Sequence, residues 1–175
     1  MSILSRCVAA GFLAAALLLP LAFSPTGARA EERVAFQDSA YAPGTIVVRT
    51  AERRLYLVLG AGKALRYPVG VGRAGKQWSG RRQIEAKFLK PAWIPPAEVR
   101  RDNPRLPKLI AGGVAGNPMG AAAMVLTGGE YAIHGTNRPN SIGGFVSYGC
   151  IRMFNRDILS LYARVHVGTP VVVTR

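Results

Sequence analysis

Cysteine, histidine and acidic side chains are scarce in this chain of 175 residues, which has two, two and nine of them. So few thiols and imidazoles leave no Cys/His spacing that would hold a metal. Internal repeats, low-complexity tracts and a linker that would split the chain are also absent. Aromatics are not interleaved with the basic pairs Arg53-Arg54, Arg81-Arg82 and Arg100-Arg101, so no nucleic-acid footprint stands out. There is one long apolar run, Val8 to Phe23. It is interrupted by Pro20 and falls short of the roughly 20 residues that span a bilayer.

That run reads as part of a signal peptide over residues 1–30. Arg6 precedes it, and Ala28-Arg29-Ala30 follows as a small-x-small cleavage site ahead of Glu31-Glu32. A retained anchor is the alternative, with membrane contact confined to this uncleaved segment. Cys7 stands at the start of the run, away from the cleavage site, which argues against a lipid-anchored cysteine. Removing 30 of 175 residues leaves 145, one domain with room for a hydrophobic core. Without Arg6 and Arg29, twenty-one basic residues face nine acidic ones, a net charge of +12. Such a surplus implies a polyanionic neighbour. For an exported chain that is the cell wall or a membrane surface, and not nucleic acid.

The remaining residues read as mostly β. Residues 31–43 are polar and mixed, an N-terminal tail. Thr45–Thr50 is β-branched, and Arg53–Leu59 is apolar and ends at the turn Gly60-Ala61-Gly62. Ala64–Val71 pairs back as a hairpin. Further strands are expected at Arg82–Leu89, Ala123–Thr127, Tyr131–His134 and Pro170–Thr174. The stretch 90–120 holds six prolines and reads as a long Pro/Gly-rich loop of the kind that forms lids or binding edges. One late helix is expected over Asp157–Val165, with Asn155 as its N-cap. The architecture implied is a sandwich or barrel.

Two signals carry no function. Gly70-Val71-Gly72-Arg73-Ala74-Gly75 fits G-x-G-x-x-G, but no helical period follows to hold a pyrophosphate. It reads as a strand end and turn. His166 lies between apolar residues near the final strand and reads as structural.

After cleavage one cysteine remains, Cys150, with His134 sixteen positions upstream. A lone cysteine in an exported protein is an inert residue or a reactive one. A thiol attacks as thiolate and needs a base or cation nearby, and histidine suits that role. Gly149 allows close approach of a substrate, and backbone N–H groups at Gly149 and Cys150 are candidate oxyanion donors. Arg152 falls on the same side of an extended segment as Cys150. There it is a candidate to hold a substrate carboxylate and to favour the thiolate.

The segments His134-Gly135-Thr136-Asn137 and Ser147-Tyr148-Gly149-Cys150-Ile151-Arg152-Met153-x-Asn155-x-Asp157 resemble the L,D-transpeptidase (YkuD-type) catalytic domain. That family's pattern is a histidine, a spacer of similar length, then Ser/Thr-His-Gly-Cys-x-Arg. Leu55-Tyr56-Leu57 and Tyr67–Gly72 resemble its first hairpin. Asn117-Pro118-Met119-Gly120 resembles its Asn-Pro-Leu-Gly loop, and Gly168-Thr169-Pro170-Val171 its closing strand. Coverage is residues 44–175. Two departures are Tyr148, where the family has a second histidine, and Trp78-Ser79-Gly80-Arg81-Arg82, where many relatives read Thr-Pro-x-Gly.

The resemblance implies a β-sandwich-like, periplasmic domain that transfers acyl groups of peptidoglycan stem peptides through a Cys150 thioester. It implies His134 as proton acceptor and donor, oriented by the Gly135 carbonyl. Ser147, Tyr148, Asn137 and Arg152 would contact substrate. It implies no metal or organic cofactor. The acceptor would be another stem or a wall-anchored lipoprotein. A hydrolase on the same scaffold and a non-catalytic wall-binding module are the alternatives.

Overall fold

The computed structural model describes residues 32–129 and 131–175, so the signal-peptide segment and Cys7 lie outside the described residues. Its strands are β1 (Glu32–Ala35), β2 (Ile46–Arg49), β3 (Arg54–Gly60), β4 (Lys63–Pro68), β5 (Val71–Gly72), β6 (Gly80–Leu89), β7 (Ala122–Leu126), β8 (Ala132–His134), β9 (Phe145–Ser147), β10 (Ile151–Arg152) and β11 (Pro170–Thr174). Among the described residues two α-helices, α1 (Ala97–Asp102) and α2 (Asn155–Tyr162), and a short 3-10 helix at Pro139–Ser141 accompany them. The mostly-β class holds.

Nine strands form one sheet in the order β1-β4-β3-β2-β11-β6-β7-β8-β10, and β5 pairs separately with β9. The ten-residue β6 serves two neighbours. Its Gly80–Gln83 half pairs with β11 and its Ile84–Leu89 half with β7, with a register shift between Ile84 and Ala86. A bulge bends a strand, so β6 belongs to both layers of a sandwich. Gly70, just past β4, exchanges backbone bonds of 2.9 and 2.8 Å with Arg152 in β10. That exchange joins the far end of the sheet back to its first hairpin.

Alternation along the strands sorts side chains to two faces. Ile46, Val48, Leu55 and Leu57 enter the main core, where they meet Met124, Ile133 and Ile151 from the other layer and Ile158 and Leu161 from α2. Val47, Tyr56 and Val58 face the opposite way and form a second cluster with Phe36. Lys87 of β6 closes the C-terminal end of α2, its ammonium donating to the carbonyls of Tyr162 (2.7 Å) and Val165 (2.5 Å). Cations are favourable at that end of a helix.

Three expectations need correction. Residues 32–36, within the expected N-terminal tail, are structured: β1 pairs antiparallel with β4, and Phe36 is buried against Tyr56. Polar residues there sit on an edge strand, half in water. The 90–120 stretch contains α1 and a bridge between Trp93 and Ile110, so the late helix has a companion. Finally, Phe154 occupies the N-cap position of α2 and Asn155 is the first helical residue. The Asn155 Oδ1 instead accepts the backbone N–H groups of Ala121 and Thr136, each at 3.0 Å. It lies against Gly120 and Gly135, where a Cβ would approach it to 2.2–2.3 Å.

Candidate active site

β8 and β10 are adjacent and parallel, with Arg152 opposite His134 in register. Cys150 immediately precedes β10, so Cys150, Arg152 and His134 fall on one face of this pair. All three line a cleft of about 800 Å³, with Tyr148, Met119 and Tyr131 on its walls. The bent sheet puts β8–β10 at its end, and the 90–120 arm forms the opposite wall.

The His134 ring is buried, and its Nδ1 lies 2.6 Å from the Gly135 carbonyl oxygen. A carbonyl only accepts, so Nδ1 carries the proton and Nε2 is left as the basic nitrogen. Burial, with the Arg152 charge beside it, lowers the His134 pKa to about 4, against the pull of the Gly135 and Pro118 carbonyls. Burial also pushes the Cys150 thiol up, although the Ala132 backbone N–H and the Arg152 charge favour the thiolate. At neutral pH both partners are therefore uncharged. Arg152 favours the thiolate as expected but does not outweigh burial. Its own neighbours are Cys150 and Arg138, and no carboxylate faces it among the described residues.

The loop before Cys150 is held by its own side chains. The Ser147 hydroxyl donates to the Cys150 carbonyl at 2.6 Å and accepts from the Gly149 N–H at 3.0 Å. Two expectations change on this account. The Gly149 N–H is already engaged, so of the two candidate donors the Cys150 N–H is the one with no acceptor among the described residues. Ser147 is buried with its hydroxyl used inside the loop, so it braces the Gly149–Cys150 segment and has no free group for substrate. Gly149 has φ +124°, and a Cβ there would meet the Tyr131 ring at 2.3 Å. Only glycine fits.

Residues 43–173 match the family of L,D-transpeptidase catalytic domains, YkuD. The chain belongs to that family. Over 135 residues the domain is 42% identical to the probable L,D-transpeptidase ErfK/SrfK of Salmonella typhimurium and 40% identical to the probable L,D-transpeptidase YbiS of Escherichia coli. Each match takes in 72% of this chain and 42% or 43% of the relative. The chain thus spans less than half the length of those relatives. An L,D-transpeptidase from Mycobacterium smegmatis superposes on 75% of this chain and 58% of its own, with a TM-score of 0.59 at 19% identity. That likeness is one of fold.

In this L,D-transpeptidase domain Tyr148 does not point a second imidazole-like group at the thiol. Its hydroxyl donates to Asp102 Oδ2 at 2.8 Å, and Arg73 donates to the same oxygen at 3.0 Å. The Arg73 guanidinium also lies 4.0 Å from the centre of the Tyr148 ring. These two hydrogen bonds hold the Asp102 carboxyl below the usual range, and the bond to Asp102 pushes the Tyr148 phenol up. An ion pair between Lys76 and Glu98 and a bond from Asn137 Nδ2 to the Gly116 carbonyl (3.0 Å) tie the same arm down. Asn137 is exposed on the cleft wall as a substrate contact should be, but its amide N–H is engaged with the arm. The sequence reading had no signal for Asp102 or Glu98, two acids in a proline-rich stretch.

Proposed function

We propose that this chain is an exported cysteine L,D-transpeptidase of the cell envelope, acting on peptidoglycan stem peptides. The observation that carries the reading is the neutral His134 ring, with its Nδ1–H fixed on the Gly135 carbonyl and its Nε2 left basic in the cleft that contains Cys150. A neutral thiol and a neutral base lining one cleft suit proton transfer concerted with attack. The Cys150 Sγ attacks the carbonyl of the third stem residue as His134 Nε2 takes the thiol proton. The Cys150 N–H holds the developing oxyanion. Collapse breaks the bond to the terminal D-alanine, whose amine leaves with the proton from His134, and a thioester remains. An acceptor amine, from a second stem or a wall-anchored lipoprotein, then attacks the thioester. His134 takes the amine proton and returns it to the departing sulfur. Arg152, with no acidic partner among the described residues, is the group for a substrate carboxylate.

The test is incubation of the exported domain with tetrapeptide muropeptides, followed by mass spectrometry. Cross-linked dimers lacking one D-alanine are the expected product, and Cys150→Ala should yield none. Tripeptides alone would make the protein a hydrolase. Identical mixtures from wild type and Cys150→Ala, with no acyl-enzyme mass, would leave it a wall-binding module.

A further inference from the structure

Trp78 is the residue at which the chain departs from the Thr-Pro-x-Gly expected before β6, and it reaches the nucleophile loop directly. Its indole N–H donates to the Gly149 carbonyl at 2.9 Å. Its ring stacks on Tyr131, with centroids 4.6 Å apart and planes 7° from parallel. The Arg82 guanidinium lies 5.6 Å from the Trp78 ring centre. Tyr131 in turn occupies the space that any side chain at residue 149 would need.

Gly149 is the freest backbone position in this loop, because glycine has no Cβ to restrict it. Three neighbours remove that freedom. Ser147 holds its N–H, Tyr131 covers its Cα and Trp78 holds its carbonyl. A peptide unit is planar, and this one is trans, so the direction of the Gly149 carbonyl sets the opposite direction of the Cys150 N–H.

We infer that Trp78 is a positioning residue for the nucleophile: its indole N–H fixes the plane of the Gly149–Cys150 peptide and thereby presents the Cys150 N–H as the oxyanion donor. This rests on the acyl-transfer reading above. Trp78 itself touches no reacting atom. Its contribution is to prevent the donor from rotating as charge develops on the substrate oxygen, and preorganised donors of this kind act strongly in a water-poor cleft.

Trp78→Phe keeps an aromatic ring against Tyr131 and removes the donor, whereas Trp78→Leu removes both. Two rates separate positioning from simple loosening of the fold. Acylation by a tetrapeptide donor, followed by intact-protein mass, needs the oxyanion donor; alkylation by iodoacetamide needs only the sulfur. Loss of one such donor costs roughly 100-fold to 1,000-fold, so a misdirected one in Trp78→Phe should slow acylation roughly 10-fold or more. Alkylation should stay within about twofold of wild type on the same argument. Equal acylation rates in wild type and Trp78→Phe, or a parallel fall in acylation and alkylation, overturns the inference. If wild type forms no acyl-enzyme, the transfer reading fails instead. Amide NMR then decides the inference alone: the residual dipolar coupling of the Cys150 N–H, which reports the orientation of that peptide plane, should change in Trp78→Phe, and an unchanged coupling overturns it.

Discussion

His134 sets two pH dependences of opposite visibility. As the base of the proposed mechanism it must be neutral, and its pKa of about 4 keeps it so down to acid pH. The acid limb of kcat/KM should therefore fall near pH 4, not near the roughly 6.5 of a free imidazole. A rate profile for acylation between pH 3 and 8 checks this, and a midpoint above 6 would contradict it. Stability runs the other way from intuition about a remote surface histidine. The unfolded chain protonates His134 below about 6.5 while the native chain resists until about 4, so the unfolded state binds more protons in that window. Stability is complete above it and falls as pH drops through it, by on the order of 3 kcal/mol. The urea midpoint should show that slope in wild type and lose most of it in His134→Gln. Ser147→Ala leaves the Gly149 N–H and the Cys150 carbonyl without their partner. It should cost about 2 kcal/mol in urea unfolding and slow acylation while the thiol still alkylates. Cys150 and His134 stood out in the sequence because their residue types announce possible chemistry, whereas the Gly135 carbonyl, which lies 2.6 Å from the His134 Nδ1, was pointed to only by the family resemblance. The job of Ser147 was not, because a hydroxyl beside a nucleophile reads equally as substrate contact or as brace until its two hydrogen bonds are seen.

Among the elements, the 90–120 arm depends most on its fastenings. α1 buries no residue, so its position rests on exposed or half-exposed pairs: Asp102 with Tyr148 and Arg73, and Glu98 with Lys76. Exposed ion pairs weaken with salt. Asp102→Asn and Tyr148→Phe should each speed limited proteolysis between Lys90 and Gly120, with the melting temperature nearly unchanged, and high salt should do the same to wild type. Proteolysis that is insensitive to both variants and to salt would mean that the arm is held from its base. There the buried Asn117 side chain donates to the carbonyls of Pro91 and Ala111 at 2.8 and 2.9 Å. Prolines and glycines marked this segment as a loop, and six residues of helix inside it escaped notice because they carry no apolar period. The long strands announced themselves through alternation. Two-residue β5 and β10 are too short to alternate, and they exist only because neighbours pair with them.

For the whole molecule, the second cluster explains why the domain begins earlier than its composition suggests. Phe36 packs on Tyr56 with ring centres 5.2 Å apart, under β1 on the sheet edge. Phe36→Ala should cost about 3 kcal/mol in chemical denaturation, and a loss below about 0.5 kcal/mol would show the segment to be dispensable. That contact was hidden in the sequence because Phe36 and Tyr41, spaced five residues apart among polar neighbours, show no period to read. The strand order carries a further consequence. β11, the last strand along the chain, lies in the middle of the sheet between β2 and β6, and the Gly70–Arg152 seam likewise joins segments far apart in sequence. Pairings of such long separation are slow to form. A nascent chain that has not yet delivered residues 170–174 lacks the strand that pairs β2 with β6, so the sheet that carries the Cys150 cleft closes only once those residues have been made. The surroundings that the folded domain gives Cys150, with Arg152 and the buried His134 in one cleft, are thus assembled last.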